Sequence, residues 1–191
     1  MIDNLPERWD MEADLISVGS GIGGLAAAIA AAENGASAIV LEKTDKVGGI
    51  TALSVGECWI PGNHLAAGIG IEDSAESGYR YLKRLAIGYN DDRMTLNYAV
   101  NARASLKWFE KRIGLKMVVI RDCPDYYFRH NNDAISEGRM LEVEPFDATQ
   151  LGDWQERTRV SHLTPYGMTH PDMYGKGGSA TSTVAVTVNA V

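Results

Sequence analysis

The sequence predicts an α/β fold, with a parallel sheet flanked by helices, and two apolar segments of strand length are the first reason. Residues 15–18 and residues 38–41 are both largely apolar, and the second segment ends just before an acidic side chain. Between them lies the alanine-rich segment 25–32, which favours a helix because alanine has the highest helix propensity. Asn34-Gly35 follows, a common signal for a helix end. This order predicts a strand–helix–strand unit.

The turn between the first strand and the helix carries glycines at Gly19, Gly21 and Gly24, in the spacing G-x-G-x-x-G. In such a turn the first glycine permits the sharp reversal and the second lets the backbone approach a pyrophosphate. The third lets the helix lie close to the sheet. The helix would also present its free N–H groups and positive dipole end to that pyrophosphate. The spacing therefore predicts a dinucleotide site that includes Ser20.

Glu42 ends the second strand, about twenty residues beyond the glycines, where an acidic side chain can accept hydrogen bonds from both ribose hydroxyls. A chance glycine cluster in an alanine-rich helix is the alternative interpretation. The order of strand, turn, helix, strand and acid disfavours it, because each part stands where a Rossmann-like dinucleotide domain requires it.

The segment after Glu42 bears on which dinucleotide is bound. It is rich in small residues, namely Gly48, Gly49, Thr51, Ser54 and Gly56. In a plain NAD-binding domain the second strand runs on into another helix, whereas this segment could lie along a long cofactor and offer it backbone N–H groups. An incidental flexible loop is the alternative. The composition of the segment favours FAD over NAD.

Capping signals and apolar periodicity predict further helices and strands in the remainder of the chain. Asp73-Ser-Ala-Glu76 resembles a capping box at a helix start, and a second start at 90–92 leads into a longer helix. One face of that helix should carry Leu96, Val100, Leu106, Phe109 and Ile113. Residues 115–120 predict a strand, residues 43–71 a long loop, and residues 121–178 mostly loop with short strands.

Composition excludes several classes of protein. The chain has 191 residues, a net charge of −7, 45% hydrophobic residues and 23% charged residues. The negative charge disfavours nucleic-acid binding, and no apolar segment reaches the length of a membrane span. Cys58 and Cys123 are far apart, with no metal-ligand spacing, so we expect two reduced thiols and no metal site. A cytoplasmic location is the expectation.

Several motifs together resemble the fumarate reductase/succinate dehydrogenase flavoprotein superfamily, and within it the 3-ketosteroid dehydrogenase-like members. The resemblance spans residues 9–178. The motifs are Trp9-Asp10, the glycine turn, Glu42-Lys43, Gly48 to Gly56, Trp59-Ile-Pro61, Pro124-Asp-Tyr-Tyr127, Gly138-Arg139, Leu141-Glu142 and Pro145-Phe-Asp147.

This resemblance implies FAD, with a specific set of residues around it. The set is Gly19, Ser20, Gly21 and Gly24 at the pyrophosphate, Glu42 at the adenosine ribose, and Lys43, Gly48, Gly49, Thr51, Ser54 and Gly56 along the path to the flavin. In the respiratory members a histidine just before the threonine carries a covalent flavin. Ile50 stands in that place here, so the resemblance implies non-covalent FAD.

The resemblance also implies an oxidoreductase acting on a CH–CH bond next to a ketone or enone, with steroids among the candidate substrates. Tyr126 would approach the substrate, although a packing tyrosine is the alternative. Arg139 is expected to form a loop-pinning ion pair. A non-catalytic FAD-binding module or subunit and an NAD-dependent Rossmann enzyme remain as further alternatives.

Members of this superfamily are much longer than 191 residues. We therefore expect residues 1–178 to form the N-terminal part of an FAD-binding domain and residues 179–191 to be a tail of uncertain nature. A substrate domain is expected to be absent, and the chain alone is expected to be inactive. The sequence does not predict an oligomeric state.

Overall fold

The computed structural model describes residues 6–53, 56–144 and 147–159. Strand β1 (Leu15–Val18), helix α1 (Ile22–Glu33) and strand β2 (Ala38–Leu41) follow one another. The two strands pair in parallel from Leu15 opposite Ala38 to Val18 opposite Leu41. Helix α1 buries Leu25, Ala28 and Ile29. The predicted α/β unit is therefore confirmed.

A second, antiparallel sheet accounts for most of the remaining core. It contains β3 (Cys58–Trp59), β4 (Met117–Val119) and β5 (Met140–Val143), with β5 in the middle. The buried side chains packed around this sheet are Ile60, Ala102, Leu106, Leu115, Met117, Leu141 and Val143. Ala102 and Leu106 of this core belong to a helix, so the core packs that helix against the sheet.

Two long helices pack together beside the second sheet. Helix α3 runs over Ala75–Ala86 and helix α4 over Asp92–Ile113. The Asp91 carboxylate accepts hydrogen bonds from two N–H groups of the first turn of α4. Gly114 ends the helix with a φ of +66°, in the left-handed region where glycine is favoured. Both helices were predicted from capping signals and periodicity.

The start of α3 differs from the predicted capping box. Ser74, not Asp73, caps the helix, and its hydroxyl accepts from the N–H of Ser77. The Asp73 carboxylate instead forms an ion pair with buried Arg139. The prediction was wrong because a buried guanidinium needs a counter-charge more than the helix needs that cap.

The predicted apolar face of α4 is also only partly right. Leu106 is buried, but Leu96 and Val100 are about half exposed, at 47% and 50%. The fully packed positions of the first turns are Ala99 and Ala102, whose small side chains let neighbouring elements approach closely. A periodicity argument that looks for large apolar residues does not find such positions.

The predicted loop over residues 43–71 is wrong in part, because it contains β3 and the short helix α2 (His64–Gly68). The predicted strand 115–120 is shortened to β4. Another short helix, α5 (Trp154–Arg157), lies near the end of the described ranges. Within those ranges no helix is both long and apolar enough to cross a membrane. The predicted tail, Pro145 and Ser54 lie outside them.

Candidate functional site

The turn from β1 into α1 owes its shape to two glycines. Gly19 has a φ of +98°, and its N–H donates to the carbonyl of Leu41 at 2.7 Å, so the turn is tied to the end of β2. A Cβ atom on Gly24 would overlap the Gly19 carbonyl oxygen and lie 2.7 Å from the Ser17 hydroxyl. Helix α1 can therefore lie this close to the turn only with glycine at position 24.

Gly21 differs from these two because the protein around it leaves room. Its φ of −69° suits any residue, and the nearest atom to an added Cβ would be the Thr51 hydroxyl oxygen, at 3.6 Å. That hydroxyl accepts from the N–H of Ile22 at 3.1 Å. No acidic side chain lies in the first turn of α1, so its positive dipole end is not neutralised by its own helix. The backbone at Gly21 is thus open to a ligand.

Ser20 joins three segments at the floor of this turn. It is buried, and both its N–H and its hydroxyl donate to one carboxylate oxygen of Glu42, at 3.1 and 2.6 Å. The same hydroxyl oxygen accepts from the N–H of Gly48 at 3.0 Å. Ser20 therefore links the glycine turn, the end of β2 and the Gly48-Gly49 segment into one unit.

These hydrogen bonds also set the charge of Glu42. The hydroxyl and N–H of Ser20, helped by Thr44, lower the pKa of Glu42 from an ordinary value near 4.5 to about 2. The carboxylate is therefore ionised at neutral pH. An ionised acid at the end of β2 can accept hydrogen bonds from ribose hydroxyls.

A cleft of about 450 Å³ lies over these residues, and we call it the dinucleotide cleft. Its lining includes six predicted site residues: Gly19, Ser20, Gly21, Glu42, Lys43 and Gly49. Gly24, Gly48, Thr51 and Gly56 are not among the lining residues, and Ser54 lies outside the described ranges. Gly24, Gly48 and Thr51 support the cleft from behind through the contacts given above.

Sequence reasoning missed several residues of the cleft. Val18 and Leu41 line it at the carboxyl ends of β1 and β2, and Arg159 lines it from a distant segment, whereas Ile50, which also lines it, was already singled out from the sequence. The strand ends could have been found, since ligands of α/β sheets bind beyond the carboxyl ends of the strands. No local pattern points to Arg159, which comes from a part of the chain predicted as loop.

The residues of the cleft fit a dinucleotide. Gly21 leaves room for a ligand at the start of α1, whose positive dipole end suits a pyrophosphate. Glu42 supplies an ionised acceptor, and Lys43 supplies an exposed cation on the same lining.

A second polar group of side chains is centred on Arg139, and we call it the Arg139 cluster: Arg139, Asp73, Asp125, Trp59 and Tyr81. The Arg139 residue is 1% exposed, and its guanidinium donates to Asp73 at 2.6 and 2.9 Å and to Asp125 at 2.7 Å. The rings of Trp59 and Tyr81 lie 5.2 and 5.6 Å from it. The expected loop-pinning ion pair is thus present, with two carboxylates.

Tyr126 is the next residue along the chain after Asp125 of this cluster. Its side chain is 74% exposed, while its carbonyl oxygen accepts from the Tyr81 hydroxyl at 2.7 Å. Burial, followed by the nearby charge of Asp125, raises the pKa of Tyr81 to about 12. Tyr126 also lines a cavity of about 690 Å³, which we call the aromatic cavity, together with Trp59, Tyr81, Tyr98, Leu82, Leu85 and Met140.

Comparison with known proteins decides the family. Residues 14–188 match the family described as FAD binding domain. The chain belongs to this family. Its cofactor is therefore FAD, as the resemblance implied, and the NAD-dependent alternative is wrong.

Curated relatives of this FAD binding domain include dehydrogenases. The chain is 32% identical over 184 residues to a 3-oxosteroid 1-dehydrogenase of Rhodococcus opacus, covering 96% of the chain and 36% of that protein. It is 32% identical over 163 residues to a 4-oxocyclohexanecarboxylate 2-dehydrogenase of Sinomonas cyclohexanicum, covering 85% and 28%. The chain thus spans roughly a third of the length of these relatives.

A solved structure supports the same family relationship. The 3-ketosteroid delta1-dehydrogenase from Sterolibacterium denitrificans, solved with 1,4-androstadiene-3,17-dione, superposes with a TM-score of 0.80 at 28% identity. The match covers 93% of this chain and 38% of that one. A flavocytochrome c3 fumarate reductase at 21% identity and a TM-score of 0.61 shares the fold. The resemblance to the 3-ketosteroid dehydrogenase-like members is confirmed.

Proposed function

We propose that this FAD binding domain serves an oxidoreductase that acts on a CH–CH bond next to a ring ketone or enone. The observation that carries the proposal is the dinucleotide cleft in a chain whose relatives are named for dehydrogenating 3-oxosteroids and 4-oxocyclohexanecarboxylate. Bound FAD supplies hydride chemistry, and the protein supplies binding, orientation and charge.

The cleft residues hold the cofactor in this proposal. The backbone at Gly19–Gly21 and the start of α1 bind the pyrophosphate, and the Glu42 carboxylate binds the adenosine ribose. Lys43 adds a positive charge on the cleft lining. Gly48, Gly49, Thr51, Ser54 and Gly56 belong to the segment that follows the cofactor towards the flavin.

Non-covalent attachment is part of the proposal. Ile50 lines the cleft and is 78% exposed, and an aliphatic side chain has no nucleophilic atom with which to bond a flavin. Among the described residues that line the cleft there is neither histidine nor cysteine. Acid precipitation of the yellow protein should therefore release all flavin into the supernatant. Flavin that stays with the polypeptide would show that the attachment is covalent.

The ketone side of the site is assigned to the aromatic cavity. Its apolar and aromatic lining suits a flat ring system, for which a 3-oxosteroid is one candidate. The exposed hydroxyl of Tyr126 would take or return the proton on the substrate carbon, while Tyr81 holds the backbone of that segment. Tyr127, which is also largely exposed, provides a matched neighbour for comparison.

The test measures the turnover of ring ketones by the protein expressed from its gene, in the presence of an artificial electron acceptor. Tyr126→Phe should lower kcat by about 100-fold or more, a usual effect of losing a general acid–base group, while FAD content stays unchanged. Tyr127→Phe should leave both unchanged. A flavin that binds normally but is neither reduced nor spectrally altered by any ring ketone would favour the alternative, a non-catalytic FAD-binding module.

A further inference from the structure

Arg159 occupies the dinucleotide cleft although it comes from a distant part of the chain. Its N–H donates to the carbonyl of Val47 at 2.8 Å, and Thr158 forms a parallel bridge with Val47. The N–H of Val47 in turn donates to the carbonyl of Arg157 at 2.7 Å. These backbone bonds fix the segment beside the cleft without any help from the Arg159 side chain.

The guanidinium of Arg159 lies next to the acid assigned to the ribose. One of its Nη atoms donates to the Thr44 hydroxyl oxygen at 2.9 Å, and the N–H of Thr44 donates to Glu42 at 3.1 Å. Its Nε atom is buried and has no hydrogen-bond acceptor among the described residues. A buried donor without an acceptor is costly, so this donor is available to an acceptor beyond the described residues, such as a bound ligand.

Charge gives the second reason. Within the described ranges no carboxylate lies at ion-pair distance from Arg159, although arginine makes most of the ion pairs found in those ranges. The cleft also holds ionised Glu42, which alone would repel the two negative charges of a pyrophosphate. A fixed guanidinium on the same lining offsets that repulsion and has donors in the planar fork that suits phosphate oxygens.

We propose that Arg159 binds the adenosine diphosphate half of FAD, donating from its guanidinium to phosphate or ribose oxygens of that half. Its neighbours Thr44 and Glu42 place it at the ribose end of the cleft, away from the flavin. Arg159 is thus a cofactor-binding residue rather than only a link between residues 44–47 and 157–159.

The test titrates the flavin-free full chain with FAD and follows the quenching of flavin fluorescence. Arg159→Gln should raise the Kd for FAD by about tenfold or more, the usual weight of a hydrogen bond to a charged group, and should weaken competition by ADP by a similar factor. Binding of FMN, which lacks the adenosine half, should not change. Arg157→Gln is the matched control, because Arg157 stacks on Trp154 and is not among the lining residues.

Thermal unfolding of the flavin-free variants separates binding from folding, and Arg159→Lys keeps the charge while removing the fork. The proposal is supported if Arg159→Gln unfolds as the wild type does but loses FAD and ADP affinity. It is overturned if Arg159→Gln binds FAD as tightly as wild type, if Arg157→Gln loses as much, or if FMN is weakened equally. Wild-type protein that binds FAD but no ring ketone would contradict the proposed function and leave this inference standing.

Discussion

The dinucleotide cleft and the Arg139 cluster both contain opposite charges, but they use them differently. In the cluster, Arg139 and its two carboxylates are almost fully buried and bonded to one another. In the cleft, the partners of Glu42 among the described residues are the neutral groups of Ser20 and Thr44, and the Arg159 guanidinium keeps a donor without an acceptor in those ranges. The first arrangement satisfies its own charges and holds the fold, whereas the second keeps bonding capacity for a ligand.

Burial is the physical cause of this difference. A charge removed from water must be paired within the protein, or the structure that contains it is strongly destabilised. The charged residues Glu42 and Arg159 of the cleft are only partly buried, so they keep some contact with water until a ligand replaces it. Substitutions in the cluster should therefore lower stability, and substitutions in the cleft should lower affinity for FAD with little effect on stability.

The largest effect is expected from Arg139→Met. This change leaves Asp73 and Asp125 buried without their counter-charge, so the free energy of unfolding should fall by about 3–5 kcal/mol in urea titrations. Arg80→Gln is the control, because Arg80 is half exposed and its ion pairs with Glu76 and Asp133 are solvated. An Arg139→Met protein as stable as Arg80→Gln would contradict the claim that the Arg139 cluster holds the fold together.

A smaller loss is expected from Gly24→Ala, which tests the support behind the cleft. The new Cβ would overlap the Gly19 carbonyl and push α1 from the turn, so stability should fall by about 1–3 kcal/mol, the range seen for overpacking. Gly23→Ala is the control, because a Cβ there meets nothing within 4 Å and alanine favours the helix. Thermal unfolding of the two variants should show opposite changes, and equal changes would contradict the packing argument.

The two regions also differ in how far the sequence could predict them. The β1–α1–β2 unit follows from local signals: apolar strands, a glycine turn, an alanine-rich helix and an acid at the right distance. The Arg139 cluster depends on pairs such as Arg139 with Asp73, which are 66 positions apart, and no local pattern joins them. Asp73 was predicted as part of a capping box because its distant partner is invisible in the sequence.

The cleft shows the same limit within a single site. The spacing of Gly19, Gly21 and Gly24 predicted a dinucleotide, but it could not show that Gly24 only supports the cleft. Nor could it show that the buried Ser20 hydroxyl bonds Glu42 and Gly48. Arg159 escaped prediction because its position depends on a backbone bridge to Val47. The motifs therefore located the site, whereas tertiary contacts determine which residues line the cleft and which only support it.

Gly21→Ala tests the separation of affinity from stability directly. An added Cβ at position 21 would lie 3.6 Å from its nearest neighbour, and alanine accepts the φ of this residue. The free energy of unfolding should therefore change by less than about 1 kcal/mol. The methyl group would stand where a pyrophosphate approaches, so the Kd for FAD should rise by about tenfold or more in fluorescence titrations. A variant that binds FAD normally would remove Gly21 from the proposed pyrophosphate site.

The smallest effect concerns pH and Glu42. Its pKa is lowered to about 2 in the folded protein, chiefly by Ser20, from an ordinary value near 4.5 when unfolded. The stabilisation is therefore complete above about pH 4.5 and is lost as the pH falls towards 2. Unfolding of wild type and of Glu42→Gln should be compared from pH 6 downwards, and the difference between them should shrink over this window. The pKa values of three other carboxylates are also lowered, but both proteins contain them, so their contributions cancel in the difference: Asp14, Asp92 and Asp147. A difference that stays constant with pH would mean that the Ser20–Glu42 bonds do not depend on the charge.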